Sequence, residues 1–117
     1  KVPCFHTNRY EPYFAMRKHR GMPLYDERFV GYGKNKIQYV VHLRHLGWEF
    51  FVVPQSYIIH APHPKSNAKR EWSAGEKKKT DSLYAGFLKS MMKIPKSNIK
   101  TRACQQKPRQ GKKQKKS

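Results

Sequence analysis

One helical period, two apolar β-branched runs and the glycines and prolines that punctuate them predict an α/β fold for the first half of this chain. The helix comes first. Apolar Ile37, Val40, Val41 and Leu46 recur at roughly helical spacing. Asn35 stands where an N-cap side chain is wanted, and Gln38 follows three residues later in a variant of the capping box. The predicted helix therefore runs from about Lys36 to Leu46, with Gly47 as its left-handed C-terminal stop. Glu49 to Val53 reads as a buried strand ended by Pro54. Tyr57 to His60 reads as a second short strand, and its C-terminal end sets His60 at the edge where open α/β sheets hold ligands.

The turn ahead of the helix is the first functional signal. Gly31 and Gly33 flank Tyr32; glycine lets the backbone lie close to a ligand, and the aromatic ring offers a flat face suited to a sugar. Asn35 and Lys36 follow at the helix N-terminus, where free N–H groups favour anions, although a cap and a solvated lysine fit the same residues. Upstream lies the acid pair Asp26 and Glu27 beside Arg28. Such a pair suits proton transfer, and equally an ion pair with Arg28 or a cap on the turn after Pro23.

Composition divides the chain near Ser66. Of its net charge of +19, residues 1–64 hold nine basic and four acidic side chains, whereas residues 65–117 hold seventeen and three. Within the second part Leu83, Tyr84, Phe87, Leu88, Met91 and Met92 define an amphipathic helix over 82–93, capped by Asp81 or Ser82 and followed by Pro95. From residue 101 onward apolar residues almost vanish, which predicts a disordered Lys-rich tail over 101–117.

Taken in order, Tyr10-Glu-Pro-Tyr13, Tyr25-Asp-Glu-Arg-Phe-Val-Gly-Tyr-Gly-Lys-Asn-Lys36, Gly47-Trp-Glu-Phe-Phe-Val-Val53 and His60-Ala-Pro-His63 resemble the C-terminal part of glycosyltransferase family 49. That family contains the LARGE-type xylosyl- and glucuronyltransferases and the beta-1,4-glucuronyltransferase that build matriglycan on dystroglycan. The likeness covers roughly Val2 to Ser66. It implies the C-terminal portion of a GT-A domain over 1–66, a basic linker and amphipathic helix over 67–100, and then the tail. It further implies an inverting, manganese-dependent transfer of glucuronate or xylose from a UDP-sugar to a glycan acceptor, on the lumenal side of the Golgi membrane.

By the same likeness, Asp26 is the first expectation for the catalytic base and Glu27 the second. Arg28, Gly31, Tyr32, Gly33, Asn35 and Lys36 are expected to touch donor or acceptor. His60 is expected to ligate the metal, with His63 beside it or hydrogen-bonding the diphosphate. A helix after the histidine motif is expected to pack back on the domain.

One departure stands out. The acids of the chain, Glu11, Asp26, Glu27, Glu49, Glu71, Glu76 and Asp81, contain no Asp-X-Asp. The nucleotide-binding half and a membrane anchor are therefore expected upstream of Lys1, and this chain alone is expected to be inactive. The rival reading is a basic nucleic-acid or polyanion binder, but the charge concentrates in the tail while the aromatics concentrate in the first half. A zinc module has poor support, since Cys4 and His6 lack a spaced partner set and Cys104 is isolated. In a Golgi lumen Cys4 and Cys104 suit a disulfide, with each other or with other cysteines, and free thiols are equally compatible.

Overall fold

Asn35–His45 forms α1, close to the predicted span, and the computed structural model, which describes residues 1–105, builds the rest of the fold around it. Ile37 through Val41 and Leu43 are all buried, so α1 is enclosed on nearly every side. Its start differs from expectation. Lys34, in the left-handed region at φ 61°, occupies the cap position, while the Asn35 Oδ1 accepts from the Lys36 N–H at 2.9 Å inside the first turn. Gln38 closes no capping box; its side chain is buried and accepts from the Asp26 N–H at 3.4 Å.

The end of α1 is as predicted. Gly47 has φ 85°, its N–H bonds the Arg44 carbonyl at 3.1 Å, and the Trp48 N–H bonds the Leu43 carbonyl at 3.1 Å. This is the paired arrangement by which a left-handed glycine satisfies the last carbonyls of a helix.

The second helical region is continuous from α2, Asn67–Glu71, through a π-helical turn at Trp72–Glu76 into α3, Lys77–Met91. Because the helix is already running at Lys77, neither Asp81 nor Ser82 caps it. The expected apolar face does form the core. Tyr84 and Phe87 of α3 meet Phe29 and the α1 residues Ile37 and Val41, with Leu83, Leu88 and Met91 packed at the margin. Phe29 presents its ring edge-on to Tyr84 and Phe87, at 81° and 88°, the arrangement that aromatic quadrupoles favour. Met92 stays exposed.

The two predicted strands do not form. Phe51, Val52 and Val53, and Tyr57 to Ile59, are between 66 and 85% exposed and belong to no ladder. An apolar β-branched run becomes a strand only against a neighbour on a pleated, half-buried surface; Phe50 meets the N-terminal segment, its carbonyl accepting from the Val2 N–H at 2.7 Å, but residues 51–60 have no ladder partner among the described residues. The sheet that does form is a parallel pair of two-residue strands, β1 at Cys4–Phe5 and β2 at Arg102–Ala103, with Cys4 opposite Arg102. A disulfide joins Cys4 to Cys104 with their Cα atoms 5.0 Å apart, settling the open cysteine question in favour of their mutual pairing.

The same contacts correct the start of the expected tail. Thr101 is wholly buried, and its carbonyl accepts from the Arg44 Nε–H at 2.8 Å. The Cys104 N–H bonds the Phe5 carbonyl at 2.8 Å. Residues 101–105 are thus tied to the fold by non-local bonds that composition does not reveal; the rest of the expected tail lies outside the described residues. Among the described residues no helix is long and apolar enough to cross a membrane.

Candidate functional site

A cleft of about 910 Å³ opens at the head of α1. Its floor is the turn that the sequence singled out: Gly31 at φ 72°, Gly33 at φ 100° and Lys34 at φ 61° swing the chain into the helix. Gly33 is required by a neighbour as well as by its backbone. A Cβ there would lie 2.6 Å from the Trp72 Nε1 and 2.9 Å from its Cε2, closer than side chains pack.

Trp72 reaches this position from the π-helical turn, a one-residue widening that recurs at functional places in helices. Its indole N–H donates to the Thr80 hydroxyl at 3.3 Å, and that hydroxyl donates to the Glu76 carbonyl at 3.0 Å. Tyr32 meets Trp72 at an angle, with centroids 5.5 Å apart and planes 62° apart.

Cations dominate the walls. Arg9, Lys34, Lys36, Lys65, Lys69 and Lys77 face two carboxylates, Glu11 and Asp81. Asp81 is already engaged, since Lys34 pairs with it across the α1–α3 junction and holds its carboxyl below the usual aspartate range. The same Lys34 ammonium lies 4.9 Å from the Tyr84 ring centre, with that phenol pushed up by burial. Lys69 sits 5.8 Å from the Tyr32 ring and Lys77 5.9 Å from that of Trp72.

Of the expected site residues, the cleft brings together Gly31, Tyr32, Gly33, Asn35, Lys36, His60 and His63. It leaves out Asp26, Glu27 and Arg28. Asp26 takes the alternative role: Arg28 grips it with Nε on Oδ1 at 2.9 Å and Nη2 on Oδ2 at 2.6 Å, and also donates its backbone N–H at 3.1 Å. The Arg28 hydrogen bonds draw the Asp26 carboxyl below its ordinary value. Glu27 is exposed. The cleft residues that were not among those expectations are Arg9, Glu11, Lys34, Ile37, Lys65, Ser66, Lys69, Trp72, Lys77 and Asp81. Their one signal was a tryptophan placed in an otherwise polar stretch, Asn67 to Glu76.

His60 and His63 stack, with ring centres 5.2 Å apart and planes 25° apart. The His63 Nδ1 lies 2.9 Å from the Pro64 carbonyl, which can only accept a hydrogen bond. As a complete manganese centre the donor set does not suffice, because a hard ion wants several oxygen ligands and no carboxylate among the described residues joins the two imidazoles. The described cluster that does gather three ligand-type residues is Cys4, His6 and Cys104, whose thiols are spent in the disulfide.

A second hollow, about 500 Å³ between Arg44 and Met91, contains none of the expected residues.

A family model described as glycosyl-transferase for dystroglycan matches residues 4–94, a span that contains every residue lining the cleft. The chain belongs to that family. Among its relatives, the glycosyltransferase-like protein LARGE of Caenorhabditis elegans is 39% identical over 67 residues, 57% of this chain and 10% of the relative. Human xylosyl- and glucuronyltransferase LARGE1 is 46% identical over 57 residues, covering 49% of this chain and 7% of the relative. Mouse xylosyl- and glucuronyltransferase LARGE2 is 44% identical over 57 residues, 49% and 8%. The chain thus spans a tenth or less of the length of these curated relatives. No solved structure matches.

Proposed function

We propose that this chain forms the anion- and sugar-binding wall of a GT-A glycosyltransferase that moves glucuronate or xylose from a UDP-sugar to a glycan acceptor. The observation that carries the reading is the cleft itself: within the family-matched span it joins the Gly31–Gly33 turn, the head of α1, His60, His63 and six cationic side chains. A leaving UDP is a polyanion. The lysines flanking the α1 N-terminus are suited to hold its diphosphate, since ammonium charges favour phosphate oxygens.

Manganese, when bound, would neutralise charge that develops on the diphosphate. The rings of His60 and His63 would supply nitrogen ligands, with oxygen ligands completing the shell. Inversion requires a carboxylate to take the acceptor's proton from within about 3 Å. Glu11, which lines the cleft, is better placed for this than Asp26, whose carboxylate is occupied by Arg28 outside it. The disulfide supports an oxidising compartment, in keeping with the Golgi lumen. With no Asp-X-Asp in the sequence, residues 1–117 alone should not turn over a donor.

The test is a segment exchange. The segment of human LARGE1 that corresponds to residues 4–94 is replaced by this chain's own, and transfer from UDP-glucuronate and UDP-xylose is followed by UDP release. The chimera is expected to transfer, and its Glu11→Gln form to lose turnover while still binding UDP. A chimera that folds, judged by secretion and melting, yet transfers neither sugar refutes the reading.

A further inference from the structure

The second hollow lies between the last turn of α1, the end of α3 and the segment that follows it, and it shares no lining residue with the cleft. Its volume of about 500 Å³ is in the range of small-molecule sites. Part of the wall is aliphatic, formed by Met91, Met92, Ile94 and Ile99. Methionine side chains reshape themselves around an apolar occupant, so such a wall takes a hydrocarbon chain without demanding a fixed contour. The charged part of the wall has one sign: Arg44, Lys96 and Arg102 line it, and none of the chain's seven acidic side chains does.

Arg44 is the member of this set that the fold holds in place. It is half-buried, and its Nε–H donates to the carbonyl of the buried Thr101 at 2.8 Å, which fixes the plane of the guanidinium. Neither Nη group bonds a described residue, and none of the ion pairs among the described residues includes Arg44, Lys96 or Arg102. Burial lowers the Arg44 pKa, with Tyr84 opposing. The fold thus strips hydration from this cation and supplies no counter-charge, a cost that an anion from outside would offset. The two Nη groups offer parallel N–H donors of the kind that grip a carboxylate.

We propose that this hollow binds a small aliphatic carboxylate, its hydrocarbon chain lying on Met91, Met92, Ile94 and Ile99 and its head held by Arg44. Lys96 and Arg102, both exposed, stand at the rim and draw the anion in. The site goes beyond the transferase reading and does not depend on it, since the two share no side chain.

The experiment uses the whole chain with carbon-13 in its methionine methyl groups, titrated with octanoate, hexanoate, octan-1-ol or octylammonium below the concentrations at which they form micelles. Met91→Leu and Met92→Leu, which conserve volume, assign the two reporter signals. Octanoate should move the Met91 and Met92 signals saturably and leave those of Met16 and Met22, which lie outside the hollow, in place. Hexanoate, two methylenes shorter, should bind about tenfold more weakly. Octan-1-ol should also bind about tenfold more weakly, for want of a charge-assisted bond to Arg44, and octylammonium should leave the signals unmoved. Arg44→Gln should bring octanoate down to the affinity of octanol. Thermal melts check that this variant is folded, and the ligand series on the parent decides the matter even where it is not. Octanoate bound no better than octanol, hexanoate or octylammonium, or shifts spread over all four methionines without saturation, overturns the site.

Discussion

Replacing Gly47 by alanine should cost about 2–3 kcal/mol, and the structure supplies each part of that figure. Gly47 closes α1 at φ 85°. A residue with a Cβ pays about 1–2 kcal/mol to occupy the left-handed region, offset by about 0.4–1 kcal/mol from a less flexible unfolded chain. The added Cβ would lie 2.7 Å from the Asn98 carbonyl oxygen. That oxygen cannot swing aside as a side chain would, since it belongs to the 3-10 turn Lys96–Asn98, whose Ile99 N–H bonds the Lys96 carbonyl and which leads directly to the buried Thr101. Relieving the overlap adds about 1–2 kcal/mol by analogy with overpacked cores. For a domain of this size each kcal/mol moves the melting temperature by about 4 °C, so Gly47→Ala should melt about 8–12 °C lower. The control is Gly86→Ala, in the exposed middle of α3, where a Cβ meets nothing within 4 Å. It should melt about 2–4 °C higher, as glycine in a helix interior costs about 0.5–1 kcal/mol. Melts followed by circular dichroism decide the matter; a Gly47→Ala protein within 3 °C of the parent would show, by the same conversion, that the α1 terminus does not hold the Lys96–Asn98 turn in place.

Removing the disulfide with Cys4→Ser and Cys104→Ser opens a loop of 100 residues; the chain-entropy model puts the loss near ~4.7 kcal/mol, read as a lowered urea midpoint matched by adding a reductant to the parent. Phe87→Ala, at the centre of the α1–α3 core, should cost about 3–5 kcal/mol in the same assay. Burial depresses the His42 pKa, with His45 adding to the effect and Asp26 opposing it. The unfolded chain therefore takes up a proton first as pH falls: stability is fully present above about pH 6.5 and declines below it. His42→Gln should flatten that decline when urea midpoints at pH 7.5 and 5.5 are compared. Lys34 lowers the Asp81 pKa, so the pair stabilises above the usual aspartate value and is lost as pH falls through the depressed one. Lys34→Met should shift acid unfolding to higher pH.

The parts of the fold that rest on local chemistry were legible in the sequence. Ile37, Val40 and Val41 announced α1, Gly47 its end, and Tyr84 and Phe87 the inward face of α3, because period and terminal glycine are written within a few residues. The parts that depend on distant partners were not. Residues 49–53 and 57–60 have strand composition, but composition cannot say whether a neighbouring strand is present, and among the described residues none is. The anchoring of Thr101 to Cys104 is likewise decided by β1 and Arg44, about a hundred and about sixty positions away.

The site divides in the same way. The glycine turn was read from residue type and spacing and the histidine pair from the family resemblance, whereas Trp72 and Lys69 enter the cleft only because the helical region 67–91 folds back on α1. The acid pair lies outside the cleft, and Asp26 takes the ion-pair alternative for a physical reason: a carboxylate two positions from an arginine satisfies itself locally.

The Cys4–Cys104 bond makes the described polypeptide a covalent ring of about a hundred residues. A protease that cuts the exposed stretch between Phe51 and Ile59 would sever the backbone without releasing either piece, since one sulfur linkage still spans the break. Such nicked molecules would keep the parent mass, plus a water, on a non-reducing gel and part into two fragments once thiol is added.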